Sequence, residues 1–392
     1  MLPPLSLYVH FPWCVAKCPY CDFNSHALSG ALPESEYIGA LARDLEFQRT
    51  LIGRRVIHSV FLGGGTPSLF SGEAIARVLE LARRHLNFAA GVEITLEANP
   101  GAVERGRFAE YHSAGVNRVS LGAQSFDPQQ LRSLGRIHSP AETRRAAEEL
   151  HAAGLTNFNI DLMYALPGQN AQAALLDVDE ALALHPSHLS HYQLTLEAGT
   201  VFAANPPALP TEDDAAEILD ACQERLGRAG FTRYEISAYA RPRAQCAHNL
   251  NYWRFGDYVG VGAGAHGKIT AETGGAIMRS AQWREPRRYM ASAPHPQTRA
   301  AVAVRDLPFE FMLNALRLVD GFTISTFEEY TGLAWTCLAR DVAALERRGL
   351  IETRGTVCRS TPRGLTFLNE ALVQFLPEKP VSAALSALST AS

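Results

Sequence analysis

Cys14, Cys18 and Cys21 lie in the run YVHFPWCVAKCPYCDFNSH, positions 8–26, and are spaced C-x3-C-x2-C. Thiolate sulfur ligates both zinc and iron–sulfur clusters. Structural zinc takes four ligands, usually as two close cysteine pairs, and the chain has no second pair. His10 and His26 flank the loop and could complete a zinc site. A cubane cluster held by three thiolates instead leaves one iron open to an exchangeable small molecule. The other four cysteines, Cys222, Cys246, Cys337 and Cys358, are scattered singly. An odd total of seven with one tight triplet does not read as a secreted disulfide framework, and points to a reducing, cytoplasmic setting.

The loop must be held by the elements around it. Apolar runs rich in Val, Ile and Phe alternate with amphipathic stretches. SLYVHF, VIHSVFLGGG, VEITLEANP, RVSLGAQS, NFNIDLMYALPG and HLSHYQLTLE read as strands. ESEYIGALARDLEFQRTL, GEAIARVLELARRHL, AETRRAAEELHAAG and NAQAALLDVDEALALHP read as helices. Such alternation predicts an α/β fold with a parallel sheet, here a partial (β/α)6 barrel like a TIM barrel. The chemistry-bearing residues all follow strands, on the face where barrel active sites form. The cysteine triplet follows the first strand and Gly63-Gly64-Gly65-Thr66 the second. Glu97, Gln124 and Asp161 end the third, fourth and fifth.

This combination, C-x3-C-x2-C after the first strand and GGGTP after the second, resembles the radical S-adenosylmethionine superfamily. The resemblance implies a radical SAM barrel with a 4Fe–4S cluster on Cys14, Cys18 and Cys21 and S-adenosylmethionine chelated to the open iron. It assigns contacts with that cofactor to Tyr8, Tyr20, Gly64, Gly65, Thr66, Glu97, Gln124, Arg136 and Asp161. By a looser match it adds Thr195 and His266. The Gly-rich stretch YVGVGAGAHGK, 258–268, is then expected to line the cofactor pocket near His266.

Within the superfamily the chain is similar to oxygen-independent coproporphyrinogen III oxidases over essentially its whole length. Those oxidases carry a further cysteine two residues after the third, where this chain has Phe23. They also carry a long N-terminal arm, whereas seven residues precede Tyr8 here. Both departures weigh against decarboxylation of the porphyrinogen, which stays as the alternative activity. A second subgroup, of haem-handling chaperones, is marked by H-N-x-x-Y-W, and this chain has His248, Asn249, Leu250, Asn251, Tyr252 and Trp253. That resemblance implies haem as ligand and acceptor haemoproteins, such as respiratory enzymes, as partners, with transient contact at a membrane surface. Imidazole is a common axial haem ligand and aromatic rings pack on porphyrin faces, so His248, Asn249, Tyr252 and Trp253 are the haem candidates. Cys246 is a thiolate alternative.

From 307 the pattern becomes three helices, a short hairpin LIETRGTVCRS and a further helix, a winged-helix-like arrangement. Between 300 and 375 there are eight Arg, no Lys and nine Asp or Glu. A nucleic-acid reader shows a basic face, so a packing or docking module is expected there, and no nucleic acid. The expected organisation is a barrel over 1–240, a barrel-closing segment over 241–300, the winged-helix-like domain over 301–380 and a frayed tail over 381–392. Over the 392 residues hydrophobic content is 47% and formal net charge −4, which gives no pull toward polyanions. No apolar run is long enough to cross a membrane, and the first residues lack the pattern of a signal peptide.

Overall fold

A computed structural model describes residues 2–101, 106–271 and 275–377. The six apolar runs form parallel strands: β1 (Leu5–Phe11), β2 (Val56–Gly64), β3 (Asn87–Ala98), β4 (Arg118–Gln124), β5 (Phe158–Tyr164) and β6 (His188–Gln193). Parallel strands are buried on both faces, which is why these read as near-continuous apolar runs. In β1, β4 and β5 a single residue of each strand is only half buried: Tyr8, Gln124 and Asp161.

Helices α1 (Glu34–Ile52), α2 (Gly72–His85), α3 (Phe108–Ala114), α4 (Pro140–Ala152), α5 (Ala171–Ala183) and α6 (Glu212–Arg228) lie between or after the strands. They bury one face against the main core, which runs from Leu5 to Ala293. Local signals set their ends. Ser139 and Glu142 form a capping box at the start of α4, each side chain satisfying a backbone N–H that the helix leaves open.

The segment after 231 contributes strands at both edges of the sheet. They are β7 (Thr232–Glu235), β8 (Ala238–Ala240), β9 (Asp257–Val261), β10 (His266–Thr270), β11 (Ile277–Ala281) and β12 (Thr298–Ala301). The sheet order is β12-β11-β10-β9-β1-β2-β3-β4-β5-β6-β8-β7. β9 runs parallel to β1, with Leu5 opposite Asp257 and Val9 opposite Val261, so the parallel part has seven strands rather than six. The other five are antiparallel additions. Their three to five residues and their glycines are too short a window for period-2 patterning to register.

Helix α7 (Ala247–Trp253) carries the H-N-L-N-Y-W motif and packs under β1, β2 and β9. Beyond it, α8 (Leu307–Ala315), α9 (Ile324–Thr331) and α10 (Ala339–Arg347) precede a hairpin of Ile351–Arg354 and Val357–Ser360. They share a second core in which Phe311, Phe327 and Leu345 meet Phe255, in the turn after α7, and Ile277 from the sheet. Arg317 ties the two parts, pairing with Glu235 at 3.1 Å and lying 4.3 Å over the Trp253 ring. The tail 381–392 lies outside the described residues. Among the described residues no helix is long and apolar enough to cross a membrane.

Candidate functional site

The cysteine loop leaves β1 and is clamped at its neck. Trp13–Cys14 pairs with His26–Ala27, and the His26 N–H donates to the Pro12 carbonyl at 2.7 Å. His10 braces the loop from below: its Nδ1 meets the Tyr8 hydroxyl at 2.9 Å and its Nε2 the Asn24 carbonyl at 2.9 Å. Asn24 donates in turn to the carbonyls of Ala263 and Arg284, both at 2.9 Å. Both ring nitrogens of His10 are therefore engaged, and the His26 Nε2 faces Asn24 Oδ1 and the Arg284 carbonyl. These contacts take the two histidines away from the zinc role that the spacing left open. Among the described residues no three His, Cys, Asp or Glu side chains converge as a single metal ion would need.

The GGGTP turn supports the same loop. Gly64 has φ +114°, and a Cβ there would run into the His10 ring. The Gly65 and Thr66 N–H groups donate to the carbonyls of Phe11 and Trp13, at 2.7 and 2.8 Å. The glycines are thus needed for close approach between two backbones as well as for the cavity they border.

Cys14, Cys18 and Cys21 border one cavity of about 410 Å³. Each sulfur has a polar neighbour: the Thr66 hydroxyl donates to Cys14 Sγ at 3.3 Å, Arg136 donates to Cys18 Sγ at 3.7 Å, and Ser25 Oγ lies 3.7 Å from Cys21 Sγ. Burial pushes the Cys14 thiol up, opposed by the Thr66 hydrogen bond. Three sulfurs with a polar neighbour at each and a cationic guanidinium beside one fit a thiolate-held iron–sulfur cluster, whose sulfurs gain from hydrogen bonds.

Of the residues assigned to the cofactor, Tyr20, Gly64, Gly65, Thr66, Glu97, Gln124, Arg136, Asp161 and Thr195 border this cavity. Glu97 accepts the Gly64 N–H at 2.9 Å. Burial, then the negative charge of Asp161, push its carboxyl up to about 8, against the Gly64 hydrogen bond. Gln124 ends β4 with φ +67° where the register with β5 shifts. Thr195 sits exposed on the rim and donates to Glu197 at 2.8 Å.

Asp161 is held by a chain of side chains that the sequence did not single out. Asn159 donates to its Oδ1 at 2.7 Å and Ser120 to its Oδ2 at 3.1 Å. Asn159 Oδ1 lies 2.6 Å from the buried His188 ring, whose Nε2 meets the Tyr234 hydroxyl at 2.8 Å. Asn99, inside LEANP, was also missed. It links Arg136 (2.6 Å) to the Thr66 hydroxyl (2.9 Å). Its only signal was its place beside Glu97 at a strand end.

Tyr8 and His266 do not border this cavity. They line a second one, also about 410 Å³, together with Tyr252, Tyr258 and Arg284. Asp22, Phe23, Gly64 and Glu97 border both. The Gly-rich stretch mainly packs against the cysteine loop, since a Cβ on Gly262 would meet the His10 backbone and one on Gly264 the Asn24 side chain.

The haem candidates are dispersed around α7. His248 is 3% exposed and borders neither cavity. Its ring stacks on Phe61 at 5.0 Å, its Nδ1 meets Ser59 Oγ at 3.2 Å, and its buried Nε2 has no partner. Burial pushes it down to about 3. This enclosure runs against its expected role as a haem ligand. Asn249 is half buried away from both cavities. Trp253 faces Arg317, in the turn after α8, and of the four only Tyr252 borders either cavity. Cys246 is fully buried with Glu93 at 3.6 Å and is pushed up to about 12, chiefly by burial, which removes it as a thiolate alternative.

Residues 8–181 match the model of the Radical SAM superfamily and residues 302–367 that of the HemN C-terminal domain. The chain is 46% identical over 377 residues to the Heme chaperone HemW of Escherichia coli (strain K12), covering 96% of this chain and 99% of that protein. It is 45% identical over 382 residues to the Heme chaperone HemW of Haemophilus influenzae, covering 96% and 99%. The solved structure of coproporphyrinogen III oxidase (HemN) from Escherichia coli, described as a radical SAM enzyme, superposes with a TM-score of 0.81 at 23% identity, over 95% of this chain and 90% of that one. The likeness to HemN is one of fold, whereas the likeness to the chaperones spans the sequence from end to end: the chain belongs to the heme chaperone HemW family of radical S-adenosylmethionine proteins.

Proposed function

We propose that this chain carries haem and delivers it to acceptor haemoproteins, respiratory enzymes among them, in the cytoplasm or at a membrane surface. Cys14, Cys18 and Cys21 hold a 4Fe–4S cluster, and S-adenosylmethionine occupies the cavity they border. When bound, the cluster supplies an open iron site for the cofactor and a source of one electron. The chain's own residues do the rest. Arg136 and the Thr66 hydroxyl stabilise negative charge on sulfur. Glu97 and Asp161 offer carboxylates to a cationic ligand, and ionise more readily once one is present. Gly64 and Gly65 let that ligand approach the backbone.

The observation that carries this reading is the gathering of three cysteines, GGGTP, Glu97, Arg136 and Asp161 around one cavity, in a chain with full-length likeness to haem chaperones. Phe23, in the place of the oxidases' further cysteine, is 58% exposed at the cavity mouth and offers no fourth sulfur. Anaerobic reconstitution with iron and sulfide tests the reading, followed by haem titration and an assay with coproporphyrinogen III, S-adenosylmethionine and reductant. Cluster formation and haem binding without protoporphyrinogen are expected. Formation of protoporphyrinogen IX would establish the oxidative decarboxylase instead.

A further inference from the structure

The second cavity gathers groups that the cluster and S-adenosylmethionine leave unused. Its volume, about 410 Å³, lies within the range of small-molecule sites. Tyr252 and Tyr258 form one wall, with ring centroids 4.2 Å apart and planes inclined by 35°. Arg279 fixes the Tyr258 ring through its hydroxyl and pairs with Glu310 on α8. Phe23 stands exposed at the boundary with the first cavity. His266, the first residue of β10, is exposed at this cavity, and its ring has no hydrogen-bond partner among the described residues. Its backbone is pinned because Gly260 on β9 has no side chain; a Cβ there would strike the His266 carbonyl. Arg284 borders the same space and forms no ion pair among the described residues, its Nε only grazing Asn24 Oδ1 at 3.4 Å.

We propose that the second cavity is the haem seat. His266 is the axial ligand, the rings of Tyr252, Tyr258 and Phe23 lie against the porphyrin, and Arg284 faces the anionic propionates. This rests on the haem-carrier reading above and deepens it. The chemistry matches on three counts. A neutral imidazole is the common axial donor to haem iron, and desolvation at the cavity wall, then the charges of Arg279 and Arg284, push His266 down from its ordinary value. Aromatic faces stack on a flat π system. A guanidinium recognises a carboxylate with two parallel N–H donors. His248, in contrast, has its ring enclosed by Phe61, Tyr252 and Tyr8. The shared walls at Gly64 and Glu97 place the haem beside the cofactor cavity, and Asn24 ties Arg284 to the cysteine loop.

The test uses the reconstituted full chain, titrated with haem and followed at the Soret band. His266→Ala should weaken haem binding by at least about tenfold and shift the band, with iron and sulfide content unchanged. Added imidazole should restore the wild-type band, which a merely structural loss would not allow. Arg284→Gln should weaken binding of haem but not of its dimethyl ester, and an equal loss for both would overturn the propionate contact. His248→Phe should titrate like wild type. A wild-type band and affinity in His266→Ala, or loss of the band in His248→Phe, would overturn the seat. A wild-type chain that takes up no haem would sink the haem-carrier reading itself, and the seat with it.

Discussion

On the cysteine loop each sulfur has a polar neighbour and borders a cavity, whereas on α7 the imidazole of His248 is closed in by Phe61, Tyr252 and Ser59. The two motifs are both compact in sequence, but their backbones distribute side chains differently. The loop is pinned at its neck and from below, and its interior turns all three cysteines toward one space. A helix spreads consecutive residues around its axis, so only positions three or four apart share a face. His248 and Tyr252 are four apart and their rings meet at 5.0 Å, while Trp253 turns to Arg317 and Asn251 turns to donate to the Asp257 carbonyl at 2.8 Å. H-N-L-N-Y-W therefore joins sheet, helix and second core, and of its residues Tyr252 alone borders either of the two cavities beside the cysteine loop.

Replacing any of Cys14, Cys18 or Cys21 by Ala should give the largest effect. Iron and sulfide uptake should fall to background, with far-ultraviolet circular dichroism unchanged, because the cysteine sulfurs border a cavity rather than packing the core. Retained cluster absorbance in any one variant would break the comparison at its stronger side.

His248→Ala should act on stability instead. Removing a fully packed ring from the Phe61, Tyr8 and Tyr252 cage costs about 3 kcal/mol and should lower the urea midpoint without altering cluster content. His248→Phe refills the cage and removes a buried nitrogen that has no partner. Ser59 keeps its 2.7 Å contact with Ser6, so stability should stay within about 1 kcal/mol of wild type. If His248→Phe falls as far as His248→Ala, the ring nitrogens matter and the cage account fails.

What could be read from the sequence follows from range. Cys14, Cys18 and Cys21 are close along the chain, GGGTP announces its backbone requirement by composition, and β1 to β6 are long enough to show their character. The family relation rests on these local signals. The split between two cavities was not legible, because Tyr8 and Glu97 sit on different strands and their sides depend on register. Nor was the Tyr234–His188–Asn159–Asp161 chain, assembled from three strands. Gly64 tests how far composition alone carries. Its φ of +114° and the adjacent His10 ring make Gly64→Ala strained, with an expected loss of about 2 kcal/mol and weaker cluster retention. Gly91, with φ +68° and open space around it, should tolerate Ala with a smaller loss.

A last contrast separates the two regions by pH. Glu97 has its carboxyl pushed up to about 8 from an ordinary 4.5, first by burial and then by Asp161. A raised acid favours the folded state while it is protonated. Its contribution is full below about 4.5 and is lost as pH rises through 8. His248 is pushed down to about 3 from 6.5 by burial, so its contribution is full above 6.5 and is lost as pH falls toward 3. Urea midpoints of the cluster-free chain from pH 4 to 9 should therefore respond at opposite ends. Glu97→Gln, which keeps a carbonyl for the Gly64 N–H, should flatten the alkaline limb only, and His248→Phe the acid limb only. Parallel profiles for Glu97→Gln and wild type would mean that Glu97 is already ionised near neutrality, and that the cavity is wetter than its lining of Gly64, Ala98 and Met163 implies.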